Sequence, residues 1–270
     1  MPEKQLKPVI ILSIVIAILA AFASAGGLLL DGLYRDNAFV KTTWLGNDAV
    51  TLFLAVPILV GAMVLSNRKS LGAAYLIWMG ALDYMLYNYA FYLFGAAFNW
   101  FFLIYAALLA LSIFALIVGL MNLDVNGISG QVRKEAPVKW IGSYFLFVAS
   151  GLGLVYLIQS IGFIFTDNVP AIVTITEHPT NVVFALDLTL LIPWPVLGAV
   201  WMMKRKPWGY VIAGILNVKG PLYTLVLAIN SILVVRAGIS ETSELPLWGT
   251  LTALGLIASV IFYGNLKWKE

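Results

Sequence analysis

The sequence predicts an all-α polytopic membrane protein with eight transmembrane helices, arranged as two tandem four-helix repeats with both termini in the cytoplasm. Three observations predict this fold: composition, the placement of basic residues, and an internal resemblance between two hairpins. The chain is 61% apolar and 11% charged, with a mean hydropathy of +0.95. Apolar runs of about 20 residues recur along it, as helices that cross a bilayer require.

The spans are predicted to be helices rather than barrel strands. Backbone groups in hydrocarbon must form hydrogen bonds within helices or a closed barrel, and the runs lack the alternating ten-residue pattern of barrel strands. The predicted spans are 8–30, 48–67, 71–94, 100–121, 139–163, 181–203, 208–235 and 247–266.

The basic residues set the orientation. With eight spans and a cytoplasmic N-terminus, twelve Lys and Arg residues fall inside and three outside, as expected when positive residues favour cytoplasmic loops. An odd number of spans or the reversed orientation breaks this bias. The inner set is Lys4, Lys7, Arg68, Lys69, Arg133, Lys134, Lys139, Lys204, Arg205, Lys206, Lys267 and Lys269, and the outer set is Arg35, Lys41 and Arg236.

Two hairpins resemble each other. Each runs from an acid through a mid-span proline to a basic turn ending in glycine: Asp48 to Gly72 in one, Asp187 to Gly209 in the other. Pro57 matches Pro195, and the spacings differ by one residue. We therefore predict a duplication, although any two apolar hairpins share some features.

The duplication divides the chain into a first repeat, 1–121, a polar cytoplasmic linker, 122–138, and a second repeat, 139–270. Each repeat has four predicted spans, so both enter the membrane in the same direction. The pseudo-two-fold axis then lies along the membrane normal, as in transporters built from parallel repeats.

A lysine in the middle of an apolar span is the main functional signal. Lys219 lies eleven residues into the seventh predicted span, where an unpaired ammonium costs roughly 2.5 to 3.5 kcal/mol or more. Asp83 is eleven residues after Gly72 and Lys219 is ten after Gly209, so the two charges occupy nearly equivalent positions. Both lie roughly 15 to 17 Å beyond the inner turns, near the midplane. We expect them to pair.

Other polar residues extend this candidate substrate- or ion-binding site. Tyr87 and Tyr223 lie one helical turn beyond Asp83 and Lys219, and Asn88 lies on the adjacent ridge. Asp187 is the rival partner for the lysine, nearer the outer surface. Its repeat counterpart, Asp48, is predicted to be a solvated acid at a helix start.

Prolines predict bends beside these charges. Pro193 and Pro195 remove two backbone donors from the sixth span, and Gly220 and Pro221 directly follow the lysine. We expect both spans to bend or unwind there, as broken helices do at transporter sites. Prolines are also common in membrane helices without a functional role.

Several kinds of chemistry are disfavoured. The chain has no cysteine, and its one histidine, His178, falls in a predicted outer loop, so thiolate, haem and histidine-rich metal sites are not expected. Positive-inside topology accounts for the pI of about 9.0 without nucleic acid. We expect no cofactor and no metal; the expected partners are the bilayer of a cell (inner) membrane and a small solute or ion. A homodimer is compatible with the sequence.

These features favour a small-solute or ion-coupled transporter or permease over an enzyme. The alternatives are an intramembrane enzyme acting on a lipid or isoprenoid, and a non-catalytic sensor or assembly protein. The enzyme is less favoured because the chain has no paired acidic motifs for a metal-bound diphosphate, no histidine within a predicted span and no nucleophile motif. A retinal photoreceptor is less favoured, because the lysine lies in the seventh of eight predicted spans without the flanking acids of microbial rhodopsins. The sequence names no substrate.

Overall fold

The computed structural model describes residues 3–69 and 72–267, and this part of the chain is all-helical. Seven of its helical segments are long and apolar enough to cross a membrane. The α-helices are α1 (Glu3–Leu29), α2 (Ala38–Val50), α3 (Val56–Lys69), α4 (Gly72–Gly95), α5 (Phe102–Met121), α6 (Val125–Gln131), α7 (Val138–Thr166), α8 (Ala171–Thr176), α9 (Val182–Leu186), α10 (Pro193–Met203), α11 (Pro207–Arg236) and α12 (Leu245–Gly264).

The helix α4 is as long as the spanning helices but more polar. Its 24 residues would extend about 36 Å, enough to cross the hydrocarbon core. It is not among the seven because five tyrosines, Asp83 and Asn88 lower its hydropathy. Most of its residues are buried, so α4 lies inside the bundle, where its hydroxyl groups find protein partners instead of lipid. The tyrosines are Tyr75, Tyr84, Tyr87, Tyr89 and Tyr92.

The second span begins about ten residues earlier than predicted. Asn37 caps α2 by accepting a hydrogen bond from the Val40 amide, 3.0 Å away, so residues 38–47 are helical despite their polar side chains. The prediction that Asp48 is a solvated acid at a helix start is therefore wrong. Its side chain lies within the span and is 2% exposed.

Two of the spanning segments contain a π-helical turn. One turn, Thr51–Ala55, joins α2 to α3, and the other, Asp187–Leu191, joins α9 to α10. Both lie in the matched hairpins and are followed by a proline, Pro57 or Pro193. A π turn inserts one extra residue into a helix and occurs often at functional sites. Ser70 and Leu71 of the matched inner turn, and Lys269 of the predicted inner charges, lie outside the described residues.

The helices α4 and α11 cross at the centre of the molecule, and small residues allow the close approach. A Cβ on Gly80 would lie 2.8 Å from the Ile215 carbonyl oxygen, and a Cβ on Gly214 would lie 2.7 Å from the Leu76 side chain. The crossing joins residues 3–121, here called the first half, to residues 138–264, the second half.

The predicted linker has structure of its own. Asp124 caps α6 through the Gly127 amide, and α6 packs against α11 with Ile128 buried. Arg133 and Lys267 exchange backbone hydrogen bonds with Asn265 and Gln131, so the segment after α12 lies beside the linker. These contacts tie the segment between the halves to the second half.

Candidate functional site

An ion pair between a buried lysine and a partly buried aspartate lies at the crossing of α4 and α11. Lys219 Nζ is 3.2 Å from Asp83 Oδ2, and the side chains are 1% and 14% exposed. The ammonium also lies 3.4 Å from the Leu190 carbonyl oxygen and 5.0 Å from the centre of the Tyr87 ring. Of the two acids considered as partners, Asp83 is the one in direct contact with the lysine.

The Leu190 contact brings the lysine beside the second π turn. A carbonyl inside an ordinary helix is already bonded to an amide four residues on, whereas a π turn rearranges this ladder and leaves acceptors for other donors. Lys219 thus has a carboxylate, a carbonyl and an aromatic face around it. These three kinds of contact compensate part of the cost of removing an ammonium from water.

Asp187 opens that π turn and is surrounded by tyrosines. Its side chain is fully buried. Tyr87 donates to Oδ1 at 2.5 Å, while Tyr156 and Tyr223 donate to Oδ2 at 2.6 and 2.8 Å. Tyr87 comes from the first half and the other two donors from the second, so this cluster, here called the Asp187 cage, crosses the boundary between the halves.

Tyr87 connects the cage to the ion pair. Its ring lies beneath the Lys219 ammonium, and its hydroxyl donates to Asp187. The ring also meets the Tyr223 ring edge-on, with centroids 5.4 Å apart. One side chain therefore contacts the base, one acid and the neighbouring helix.

A second caged aspartate lies in the first half. Asp48 accepts hydrogen bonds from Tyr34 at 2.5 Å and Tyr92 at 2.8 Å. Burial, followed by the neighbouring Asp48, raises the pKa of Tyr34, which lies in the loop between α1 and α2, far above its ordinary value. Tyr34 therefore remains a donor over the physiological range. Gly27 approaches so closely that a Cβ there would overlap Asp48 Oδ2.

The remaining predicted site residues separate into two groups. Asn88 donates to Thr51 Oγ1 at 3.3 Å, and Thr51 also contacts the Tyr84 hydroxyl at 3.0 Å, so Asn88 joins the first π turn rather than the lysine. The second group lies next to the Lys219 ion pair and consists of Tyr87, Tyr223 and Asp187.

The predicted hinges differ from each other. Pro193 and Pro195 follow the second π turn, where the helix is irregular. By contrast, α11 continues as a 30-residue helix through Gly220 and Pro221, so the expected unwinding is absent there. The carbonyl of Asn217, which Pro221 cannot satisfy, accepts a hydrogen bond from Ser259 Oγ of α12.

Sequence reasoning missed three contributors to these clusters. Tyr156, Tyr34 and Tyr92 are ordinary aromatic residues within or beside apolar runs, and nothing in their spacing indicated a carboxylate partner. The burial of Asp48 did have a signal, because the predicted duplication made it the counterpart of Asp187.

No family model, curated protein or solved structure matches this chain. Among residues 3–69 and 72–267, no three His, Cys, Asp or Glu side chains lie close enough together to hold a metal ion.

Proposed function

We propose that the protein is a small-solute or ion-coupled transporter of the cell membrane, with the Lys219 and Asp83 pair and the Asp187 cage as its coupling site. The proposal includes eight spans, with α4 as the eighth, cytoplasmic termini, and two tandem repeats. The two π turns in matched hairpins support the repeat, since unrelated apolar hairpins would have no reason to share this irregularity.

The observation that carries the proposal is the balance of charge at the helix crossing. Two carboxylic acids and one ammonium lie close together, with Asp187 and Lys219 buried and Asp83 14% exposed, so the cluster is neutral only when it holds one additional positive charge. A net buried charge is costly in the membrane interior. A proton on Asp187, or a cation beside it, therefore balances the site. Stability alone explains such a cluster poorly, because desolvation offsets most of the attraction within a buried ion pair.

The geometry suggests how a change of charge would reach the helices. Loss of the additional positive charge makes Asp187 a competitor for the ammonium that Asp83 holds. Lys219 is fixed on α11, Asp83 on α4, and Asp187 on the π turn, so a change of partner alters the forces between three elements. The prolines after the π turn give this segment fewer backbone bonds to break.

The transport test uses the purified protein in liposomes that enclose a pH-sensitive dye. Panels of anionic, cationic and neutral solutes are added outside, and the solute that gives protein-dependent proton flux identifies the substrate class. We expect Lys219→Met and Asp187→Asn to abolish coupled flux. Asp31→Asn, which changes an exposed acid between α1 and α2, is the matched control and should transport normally.

The double variant Lys219→Met with Asp83→Asn tests whether the ion pair is needed for coupled transport or only holds the two halves together. It removes both charges, so it should fold better than either single variant, which leaves one charge without its partner. We expect it to stay inactive although folded. Transport by the double variant would assign the ion pair a purely structural role. Absence in the wild type of any solute-dependent flux, of protons by the pH-sensitive dye or of Na⁺ or K⁺ by cation-sensitive dyes in parallel liposomes, would overturn the transporter.

The topology can be tested separately because the chain contains no cysteine. Single cysteines at Lys134 and Glu177 should react with a membrane-impermeant maleimide from opposite sides of the membrane. In intact cells, we expect labelling at Glu177 and protection at Lys134. The reversed pattern would refute cytoplasmic termini, and labelling of both positions would refute the eight-span topology.

An intramembrane enzyme acting on a lipid is the second candidate. One observation favours it: an apolar cavity of about 50 Å³ borders Tyr223, which donates to the buried carboxylate of Asp187. A tyrosine that borders an apolar cavity and is hydrogen-bonded to a buried carboxylic acid is an arrangement that proton transfer to a lipid would use. Incubation with total membrane lipids, followed by mass spectrometry of the products, distinguishes it from transport.

A further inference from the structure

Asp48 is a buried acid outside the coupling site. It lies ten residues after the start of the span Ala38–Ser66, roughly 15 Å along the helix axis, and is 2% exposed. In the part of the chain that the structure describes, the one ion pair is that of Lys219 with Asp83, so no basic side chain there pairs with Asp48. An ionised Asp48 would therefore leave a net negative charge in the apolar interior of the first half, which is costly.

The side chains around Asp48 supply no positive charge. The titratable neighbours that the described residues place there are tyrosines: Tyr34 of the loop before α2, Tyr84, Tyr89 and Tyr92 of α4, and Tyr105 of α5. Where α11 packs on α2, it presents Asn230 against Gly46, and Arg236, six residues further along, is exposed. Asp36, just before α2, is itself an acid, and α8 has no charged residue.

The cage has hydrogen-bond partners for the acid as well as for the carboxylate. Tyr34 donates to Asp48 Oδ2 at 2.5 Å, and Tyr92 Oη lies 2.8 Å from Oδ1. Tyr92 Oη is also 3.3 Å from the Trp44 carbonyl oxygen, so its O–H can turn to that acceptor. A proton on Oδ1 is then donated to Tyr92, while Tyr34 continues to donate to Oδ2, and no O–H in this chain lacks an acceptor. The Ser24 hydroxyl of α1 lies near the same carboxyl group.

The loop before α2 brings the cage close to water. Tyr34 is 7% exposed and belongs to this loop, in which Asp31 and Arg35 are exposed. One tyrosine side chain thus separates Asp48 from the aqueous side at this end of the span. The cage is buried enough to favour a neutral acid and near enough to the loop for its proton to exchange.

We propose that Asp48 is a proton-binding site, protonated at neutral pH, which exchanges its proton with water at the Tyr34 end of the cage. This site is separate from the coupling site and does not rest on transport, because the same cage would bind a proton in a protein that moves no solute. In the proposed transporter, it gives the first half a proton of its own.

The test is infrared spectroscopy of the purified protein in a maltoside detergent, which has no carbonyl group. A protonated carboxylic acid has a C=O stretching band apart from the amide and carboxylate bands, and exposed acids are ionised at neutral pH. The difference spectrum between the wild type and Asp48→Asn should contain one such band, which moves to lower frequency in D₂O as the O–H exchanges. Asp31→Asn, at an exposed acid, should remove no acid band.

A pair of tyrosine variants tests the cage without replacing the acid. Tyr34→Phe removes the donor to Asp48 Oδ2, so the acid band should remain and move to higher frequency. Tyr84→Phe removes a buried hydroxyl that contacts Thr51 rather than Asp48, so the band should stay where it is. Both variants should elute from gel filtration as the wild type does, which shows that the shift comes from the lost hydrogen bond.

The outcomes separate this inference from the transporter. A carboxylate band for Asp48 in place of the acid band would overturn the proposal. An acid band that does not move in D₂O would also overturn it, because the proton would then be trapped and the acid purely structural. An exchanging acid band without any solute-dependent flux would keep the proton site and overturn the transporter. Coupled flux with an ionised Asp48 would do the reverse.

Discussion

The two halves of the molecule differ in how closely their outer helices pack against each other. In the first half, α1 packs extensively against α5; the Phe22 and Phe101 rings lie 5.3 Å apart, and Gly26 approaches Phe101 closely. In the second half, the contact between α7 and α12 is smaller; Tyr144 of α7 donates a hydrogen bond to the Leu251 carbonyl, and an apolar cavity is lined by α7, α11, residues 191–195 and Gly255 of α12. The first half is therefore tightly packed at this position, whereas the second half leaves a cavity there.

The caged aspartates differ in the same way. Asp48 takes both of its tyrosine donors from the first half, whereas the Asp187 cage takes Tyr87 from the first half and two donors from the second. A change at Asp48 remains within one packed unit. A change at Asp187 alters the boundary between the two halves, which is where the proposed transporter would move.

The contact between the halves should be the most sensitive part of the structure. Gly80→Leu places a side chain where a Cβ alone would lie 2.6 Å from Val218 Cβ and 2.8 Å from a backbone oxygen. The halves must separate, so we expect a loss of about 3 kcal/mol in the free energy of unfolding. The measurement is unfolding of the purified protein by titration with sodium dodecyl sulphate in mixed micelles.

The control for this variant is Gly61→Leu on α3. A Cβ on Gly61 meets nothing within 4 Å and the residue is exposed within α3, so the same side chain should cause no loss and should raise stability by up to about 1 kcal/mol, because leucine is favoured over glycine inside a helix. Equal losses in the two variants would show that the α4 and α11 crossing is not the principal contact between the halves.

A smaller effect on the free energy of unfolding should distinguish Asp187 from Asp48. In Asp187→Asn, the new amide group replaces one carboxylate oxygen and directs its hydrogens at a tyrosine. When Tyr87 is that tyrosine, its own O–H loses its acceptor. We expect a cost of about 2 kcal/mol, the range for a lost hydrogen bond to a charged or buried group.

Asp48→Asn should cost less, about 1 kcal/mol, because its cage can rearrange. Tyr92 Oη already lies 3.3 Å from the Trp44 carbonyl oxygen, so it can donate there and accept from the new amide. The same unfolding titration measures both variants. A greater loss in Asp48→Asn would reverse the assignment of the first half as the more tolerant unit.

The sequence indicated the central pair because a charge in hydrocarbon is so costly that its partner must lie at the same depth. Matching positions in the two hairpins then indicated Asp83. The cages were harder to foresee, because a tyrosine in an apolar run packs equally well with or without a polar partner, and only the rotation of each helix decides which way its hydroxyl points. The π turns had no sequence signal beyond the nearby prolines. The start of α2 was missed because residues 38–47 mix polar with apolar side chains; Asn47 is buried within the bundle, whereas Lys41 is exposed.

The smallest predicted change in stability comes from adding a single methyl group, either between α1 and α5 or beside the cavity of the second half. Gly26→Ala places a Cβ 2.4 Å from the buried Phe101 ring just before α5, so the ring or α1 must shift, and we expect a loss of about 1 kcal/mol. Gly220→Ala adds a methyl group beside the cavity, and a helix-interior alanine is favoured over glycine, so we expect a gain of up to about 1 kcal/mol. Opposite signs in the unfolding titration would show that the first gap is packed and the second is empty. A loss in both would mean that α7 and α12 close over Gly220 in the membrane, and the second half would then resemble the first.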